Sequence, residues 1–179
     1  MTNRKMTEER YTFSTSRTAL KPWQLVFGPN DDNATSALTA LLTPEVLINL
    51  PEPLQIENTP TSVGGWIAAR LSESEVLAIL DPTSSALIGV IILAEFETSK
   101  TETDIHLGYL LAQNYWGKGL ASEVIAGLVA HLAKATQRIR LLGGVEKSNP
   151  SSARVLQKAG FVLDPALSDT GTEMFTLKM

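Results

Sequence analysis

Two short segments hold the residue types that chemistry needs. The first, Tyr115-Trp116-Gly117-Lys118-Gly119-Leu120-Ala121-Ser122, lies between a strand pattern and a long helical one. Gly117 and Gly119 allow a tight turn and a close backbone approach to a ligand. The first amides of the following helix lack intrahelical partners and point outward at the positive end of the macrodipole. Such a turn can cradle a pyrophosphate, with Lys118 adding a surface charge beside it. A dinucleotide fingerprint would need a third glycine, but Leu120-Ala121-Ser122 follow Gly119, and a Walker loop is absent. A plain tight turn that starts a helix is the other reading.

The second segment, Asn149-Pro150-Ser151-Ser152 to Ala159-Gly160-Phe161, follows another strand pattern about 30 residues later. Asn149 suits an N-cap, Pro150 the first helical position and Gly160 the stop beyond the last turn. His106 lies on the strand entering the first segment, and an imidazole with an ordinary pKa near 6.5 can accept a proton near neutrality. Asp104 shares its strand parity. His131 falls within the long helix, off its apolar stripe, where it is expected to face solvent. With only these two histidines and no cysteine, disulfides, thiolate chemistry and metal sites are not expected.

The elements that must position these residues follow from periodicity. Tyr11 to Trp23 reads as one strand, Asp32 to Leu42 and Thr61 to Arg70 as helices, with a proline-punctuated loop between them. Val76 to Leu80 and Ala86 to Phe96 read as strands around the turn Asp81-Pro82-Thr83-Ser84. Ile105 to Ala112 is a further strand. Leu120, Val124, Ile125, Leu128, Val129 and Leu132 then recur at helical spacing. Ile139 to Val145 predicts a strand, Pro150 to Ala159 a helix, and the remainder one or two strands. Gly143-Gly144 interrupt their strand, either as a local kink or to clear space for a bound group. The order predicts an α/β (α+β) domain, a mixed sheet flanked by helices.

Both segments together resemble the GNAT acyltransferases. Trp116 to Ala121 is similar to their Q/R-x-x-G-x-G/A signature, with Trp116 replacing the usual Gln or Arg, and Asn149 to Phe161 to their N-x-x-S/A…G-F segment. The spelling Tyr-Trp-Gly-Lys-Gly, Asn149 to Ser152, and the opening Thr15 to Trp23 look closest to the branch that acetylates N-terminal amines of ribosomal proteins.

The resemblance implies a mostly antiparallel twisted sheet with a splayed parallel strand pair holding acetyl-coenzyme A as co-substrate. Leu111 would then bind the pantetheine arm, and Gly117, Lys118, Gly119, Leu120, Ala121 and Ser122 the pyrophosphate. An amide near Leu111 or Ala112 would stabilise the oxyanion. Asn149 would bind pantetheine or an ordered water, a role compatible with capping. Ser152 would assist the leaving thiolate, since Leu156 stands where many relatives place a Tyr. His106 corresponds to an acidic residue of related sequences and becomes the candidate base, with Asp104 or a water relay as alternatives.

Composition sets the remaining expectations. The chain has 179 residues, 44% hydrophobic and 19% charged, which suits one acyltransferase domain over 1–179 with a flexible start at 1–10. A net charge of −4 repels nucleic acid and anionic membranes and suits a cationic acceptor. Met1 to Arg10 has no apolar h-region, and a cytoplasmic monomer or homodimer is expected. The expected reaction moves acetyl onto a primary amine, such as a protein N-terminus. A small-molecule amine acetyltransferase and a non-catalytic acyl-coenzyme A sensor are the alternatives.

Overall fold

Among the described residues one eight-stranded sheet organises the fold, in the order β1-β2-β3-β4-β5-β6-β8-β7. The computed structural model describes residues 10–28, 31–51, 54–99, 102–135 and 137–179. The start expected to be flexible therefore falls outside the described residues, apart from Arg10. The strands are β1 (Phe13–Ser14), β2 (Ala19–Pro22), β3 (Glu75–Leu80), β4 (Leu87–Ser99), β5 (Glu102–Leu111), β6 (Arg138–Glu146), β7 (Val162–Leu163) and β8 (Thr172–Lys178). The helices are α1 (Trp23–Val26), α2 (Asp32–Leu41), α3 (Pro44–Leu47), α4 (Pro60–Glu73), α5 (Leu120–Leu132) and α6 (Pro150–Lys158).

Local chemistry accounts for most boundaries. Asp31 caps α2 by accepting from the amides of Asn33 and Ala34, and Thr59 caps α4 by accepting from Ser62 N. Asp81 Oδ1 accepts from Thr83 N and Ser84 N, which turns β3 into β4. The single strand expected over Tyr11 to Trp23 is instead a hairpin. Thr15 N donates to Thr18 O at 2.8 Å, and β1 and β2 pair antiparallel around that turn. A run of β-forming residues hides such a turn, because Thr15 and Thr18 stabilise it through their hydroxyls rather than through glycine.

Alternation along β3 separates two cores. Leu77 and Ile79 pack with α5 and α6 on one face, through Val124, Leu128, Leu132 and Leu156. Val76, Ala78 and Leu80 pack on the other face with Leu38, Val63 and Trp66 of α2 and α4. Burial on both faces is why β3 reads as an unbroken apolar run. Each fully buried leucine contributes roughly 2 kcal/mol.

Among the described residues only β5 and β6 pair in parallel, joined by the crossover helix α5. Their register runs from Glu102↔Arg138 to His106↔Leu142 and stops. Beyond that point Leu107 to Leu111 pair only with β4, and Gly143 to Glu146 only with β8. The two strands therefore part. Below the split, Asp104 and Arg140 are register partners, and the guanidinium holds the carboxylate through Nε at 2.9 Å and a second contact to Oδ2. At the split, Gly143 yields its side-chain space to α6: a Cβ there would sit 2.7 Å from Leu156 Cδ1.

Candidate active site

A cleft of about 800 Å³ opens where β5 and β6 part. Its strand edge carries unspent hydrogen-bond capacity. Ala112 N donates to Ile88 O across the β4 edge at 2.9 Å. Backbone groups alternate in direction along a strand, so the amides of Leu107, Tyr109 and Leu111 face the gap. Of the two residues named for an oxyanion amide, Leu111 keeps its N–H available and Ala112 does not. Ala112 also lies off the cleft wall, packed beside the α2–α4 core.

The glycine turn ends this edge. Gly117 and Gly119 have φ of +71° and +73°, a left-handed backbone that side chains rarely adopt. Glu123 N makes the first α5 bond, to Gly119 O at 3.1 Å, so Leu120, Ala121 and Ser122 present amides ahead of it. Gly117, Gly119, Leu120, Ala121 and Ser122 all line the cleft. Trp116 does too, and its indole donates to Leu111 O at 2.8 Å, tying the turn to the end of β5. Lys118 does not line the cleft; its ammonium lies 5.6 Å from the centre of the Tyr115 ring.

A brace that sequence reading missed secures the turn. Glu123 accepts from Thr15, Ser16 and the backbone and side chain of Arg17. Arg17 also donates to Lys118 O at 3.1 Å. Burial raises the Glu123 carboxyl, but hydrogen bonds from Thr15, Arg17 and Ser16 outweigh it and lower the pKa to about 2. The β1–β2 hairpin is thus bolted to the first turn of α5.

Across the gap, Asn149 Oδ1 accepts from Ser152 N at 3.1 Å and Ser151 Oγ at 2.7 Å, making the N-cap that sequence suggests. Ser152 Oγ bonds the Tyr109 hydroxyl at 2.9 Å. Burial raises the Tyr109 phenol, and the Ser152 hydrogen bond partly offsets that. Asn149, Ser152 and Tyr109 line the cleft together. Sequence reading misses Tyr109 because it lies on β5, outside both motif segments. Its signal was parity, since it lies two residues from Leu111 on the same face.

His106 lines the cleft from the opposite sheet face, exposed and edge-on to Phe96 at 5.3 Å. Leu142 is its register partner, so Gly144 and Glu146 share its face, and both line the cleft. Glu146 had no motif to mark it. Asp104 is committed to Arg140, whose hydrogen bond holds its carboxyl below the usual value. From α3 and the residues after it, Val46, Asn49, Leu50 and Leu54 close this end. His131, expected in solvent, instead bonds Arg10 O through Nε2 at 2.7 Å and stacks on Phe13.

The features fit coenzyme A. An unpaired strand edge can bond a pantetheine amide, and a left-handed glycine turn at a helix start can hold its diphosphate. Comparisons with known proteins bear on the same ground. Residues 25–162 match the model for the acetyltransferase (GNAT) domain. The ribosomal-protein-serine acetyltransferase of Escherichia coli (strain K12) is 31% identical over 81 residues, 45% of this chain and 44% of that protein. The chain thus matches less than half the length of that relative.

Among solved structures, RimL, a ribosomal L7/L12 alpha-N-protein acetyltransferase in complex with coenzyme A, superposes with a TM-score of 0.70 at 16% identity. That match covers 93% of this chain and 97% of RimL. The ribosomal-protein-S5-alanine acetyltransferase from Vibrio fischeri gives 0.67 at 15% identity, over 93% and 95%. A GNAT-family acetyltransferase from Bacillus anthracis gives 0.68 at 15%, over 94% and 97%. The domain match spans most of the sequence and includes both the parting strands and the glycine turn; the chain belongs to the GNAT acetyltransferase family.

Proposed function

We propose that this protein transfers acetyl from acetyl-coenzyme A to the N-terminal α-amine of a protein. The observation that carries the reading is the unpaired edge Leu107 to Leu111 running directly into the Gly117 to Ser122 turn. On this reading the edge bonds pantetheine and the turn takes the diphosphate. The acyl carbonyl then lies near the parting point, within reach of an amide of β5 that can stabilise the oxyanion. The amine attacks directly. Ser152 serves the departing thiolate, and His106 on the other face accepts the amine proton.

The acceptor assignment rests on proton availability. An α-amine with pKa about 7.8 is roughly one-seventh neutral at pH 7, whereas a lysine at about 10.4 is neutral in only ~0.04% of molecules. A site whose base is one exposed imidazole suits the former. Relatives named for ribosomal-protein acetylation support the same choice.

Thiol release from acetyl-coenzyme A should be compared among free-N-terminal peptides, N-blocked lysine peptides, polyamines and amino sugars. Free-N-terminal peptides are expected to turn over fastest by at least about tenfold. Turnover confined to small amines would overturn the acceptor class, and binding without thiol release from any acceptor would mark a sensor instead.

A further inference from the structure

The leaving group needs a better proton source than a serine. When the tetrahedral intermediate collapses, the C–S bond breaks and sulfur departs with the electron pair. A thiol has a pKa of about 8.5 and a phenol about 10, whereas an aliphatic hydroxyl is a far weaker acid than either. Ser152 alone would hand over its proton against a steep gradient. In many relatives the resemblance places a Tyr at position 156, but here Leu156 fills that place, nearly fully buried against Gly143.

We propose that Tyr109, reaching in from β5, supplies the proton through Ser152 and so replaces the missing helix tyrosine. The inference rests on the coenzyme A reading of the cleft. Ser152 is held at its backbone by Asn149, and its Oγ lies 2.9 Å from the phenol oxygen. The Tyr109 ring packs against the core that contains Leu107, Leu111 and Leu156. Both partners are therefore held in place, and both border the cleft. The phenol donates to Ser152 Oγ, which turns the serine's own hydrogen toward the departing sulfur.

Atoms balance over the turnover. The N–C bond forms as C–S breaks, and sulfur takes the serine hydrogen while serine takes the phenol hydrogen. The phenolate recovers a proton from solvent, equivalent to the one the amine loses on the His106 side. Burial keeps the phenol protonated between turnovers. Tyr109 acts through Ser152 and is thus a positioning and relay residue.

Tyr109→Phe keeps the ring and removes only the hydroxyl. Single-turnover thiol release should fall at least about tenfold, the low side of what a placed acid supplies. Coenzyme A affinity by calorimetry should stay within about twofold, and the melting temperature should be retained. The Tyr109→Phe/Ser152→Ala double variant should be no slower than the slower single, because the two residues form one path. Wild-type release in Tyr109→Phe, or losses that multiply in the double variant, would overturn the relay. In wild-type protein the rate across mixtures of light and heavy water should curve as two protons in flight require; a linear dependence would overturn the relay even if Tyr109→Phe failed to fold. Failure of wild-type protein to bind coenzyme A or release thiol would instead remove the underlying functional reading.

Discussion

Ser152 occupies the first turn of α6, where a serine commonly bonds nearby backbone, yet its hydroxyl is engaged by Tyr109 across the cleft. That engagement separates a structural from a chemical role. Ser152→Ala should lower kcat by at least about tenfold with little change in coenzyme A binding, read by presteady-state thiol release beside calorimetry. An unchanged rate would reduce Ser152 to a helix-start residue. For His106 the test is turnover: His106→Ala should lower the rate by at least about tenfold with coenzyme A binding retained, read by the same thiol-release and calorimetric measurements. An unchanged rate would move the base from His106 to Glu146 or a water relay, since Asp104 is tied to Arg140. At this scale the sequence marked Ser152, Asn149 and the glycines because each occupies a motif position. Tyr109 and Glu146 sit on strands with no motif of their own, and only the parting of β5 from β6 brings them to the cleft.

Elements add constraints that no single site residue reveals. Gly143 was expected either to kink β6 or to make room for a bound group; its vacant side is filled by Leu156. Gly143→Val should therefore strain the α6 packing by about 1–3 kcal/mol and lower Tm by roughly 2–4 °C per kcal/mol. Leu156→Ala in that background should recover part of the loss, and thermal melts of both variants check it. Within the sheet, Glu75 at the start of β3 buries Oε1 without a hydrogen-bond partner, near Glu95 and Tyr11. Burial first, and then the charge of Glu95, raise its pKa to about 7. A raised carboxyl favours the fold while protonated and loses that advantage as pH rises from its unfolded value toward 7. Glu75→Gln should thus melt higher than wild type at pH 8 and show no such gain near pH 4.5. An equal gain at both would refute the assignment. The β1–β2 hairpin shows why local pattern was insufficient here: its turn is stabilised by Thr15, Ser16 and Arg17 gripping Glu123, more than a hundred residues away.

For the molecule as a whole, the alternation of strand and helix patterns from β3 to β8 makes the layered sheet legible in the sequence. Period-2 and period-3.6 stripes report which faces are buried. The splay was legible only through family resemblance, because it depends on β5 and β6 each keeping one neighbour while losing the other. Among the described residues no helix is long and apolar enough to cross a membrane, and no cluster of three or more His, Cys, Asp or Glu could hold a metal. On the proposed reading one cleft carries the chemistry, with the glycine turn as anchor for the donor.

Gly119→Asp tests that anchor most directly. Its φ of +73° is better tolerated by Asp than by most side chains, so the fold should persist while a carboxylate meets the diphosphate. Calorimetric titration of coenzyme A into wild type and into a variant of matched Tm should show affinity falling at least about tenfold, roughly 1.4 kcal/mol. Equal affinity in a folded Gly119→Asp protein would contradict the placement of the donor and the reading built on it.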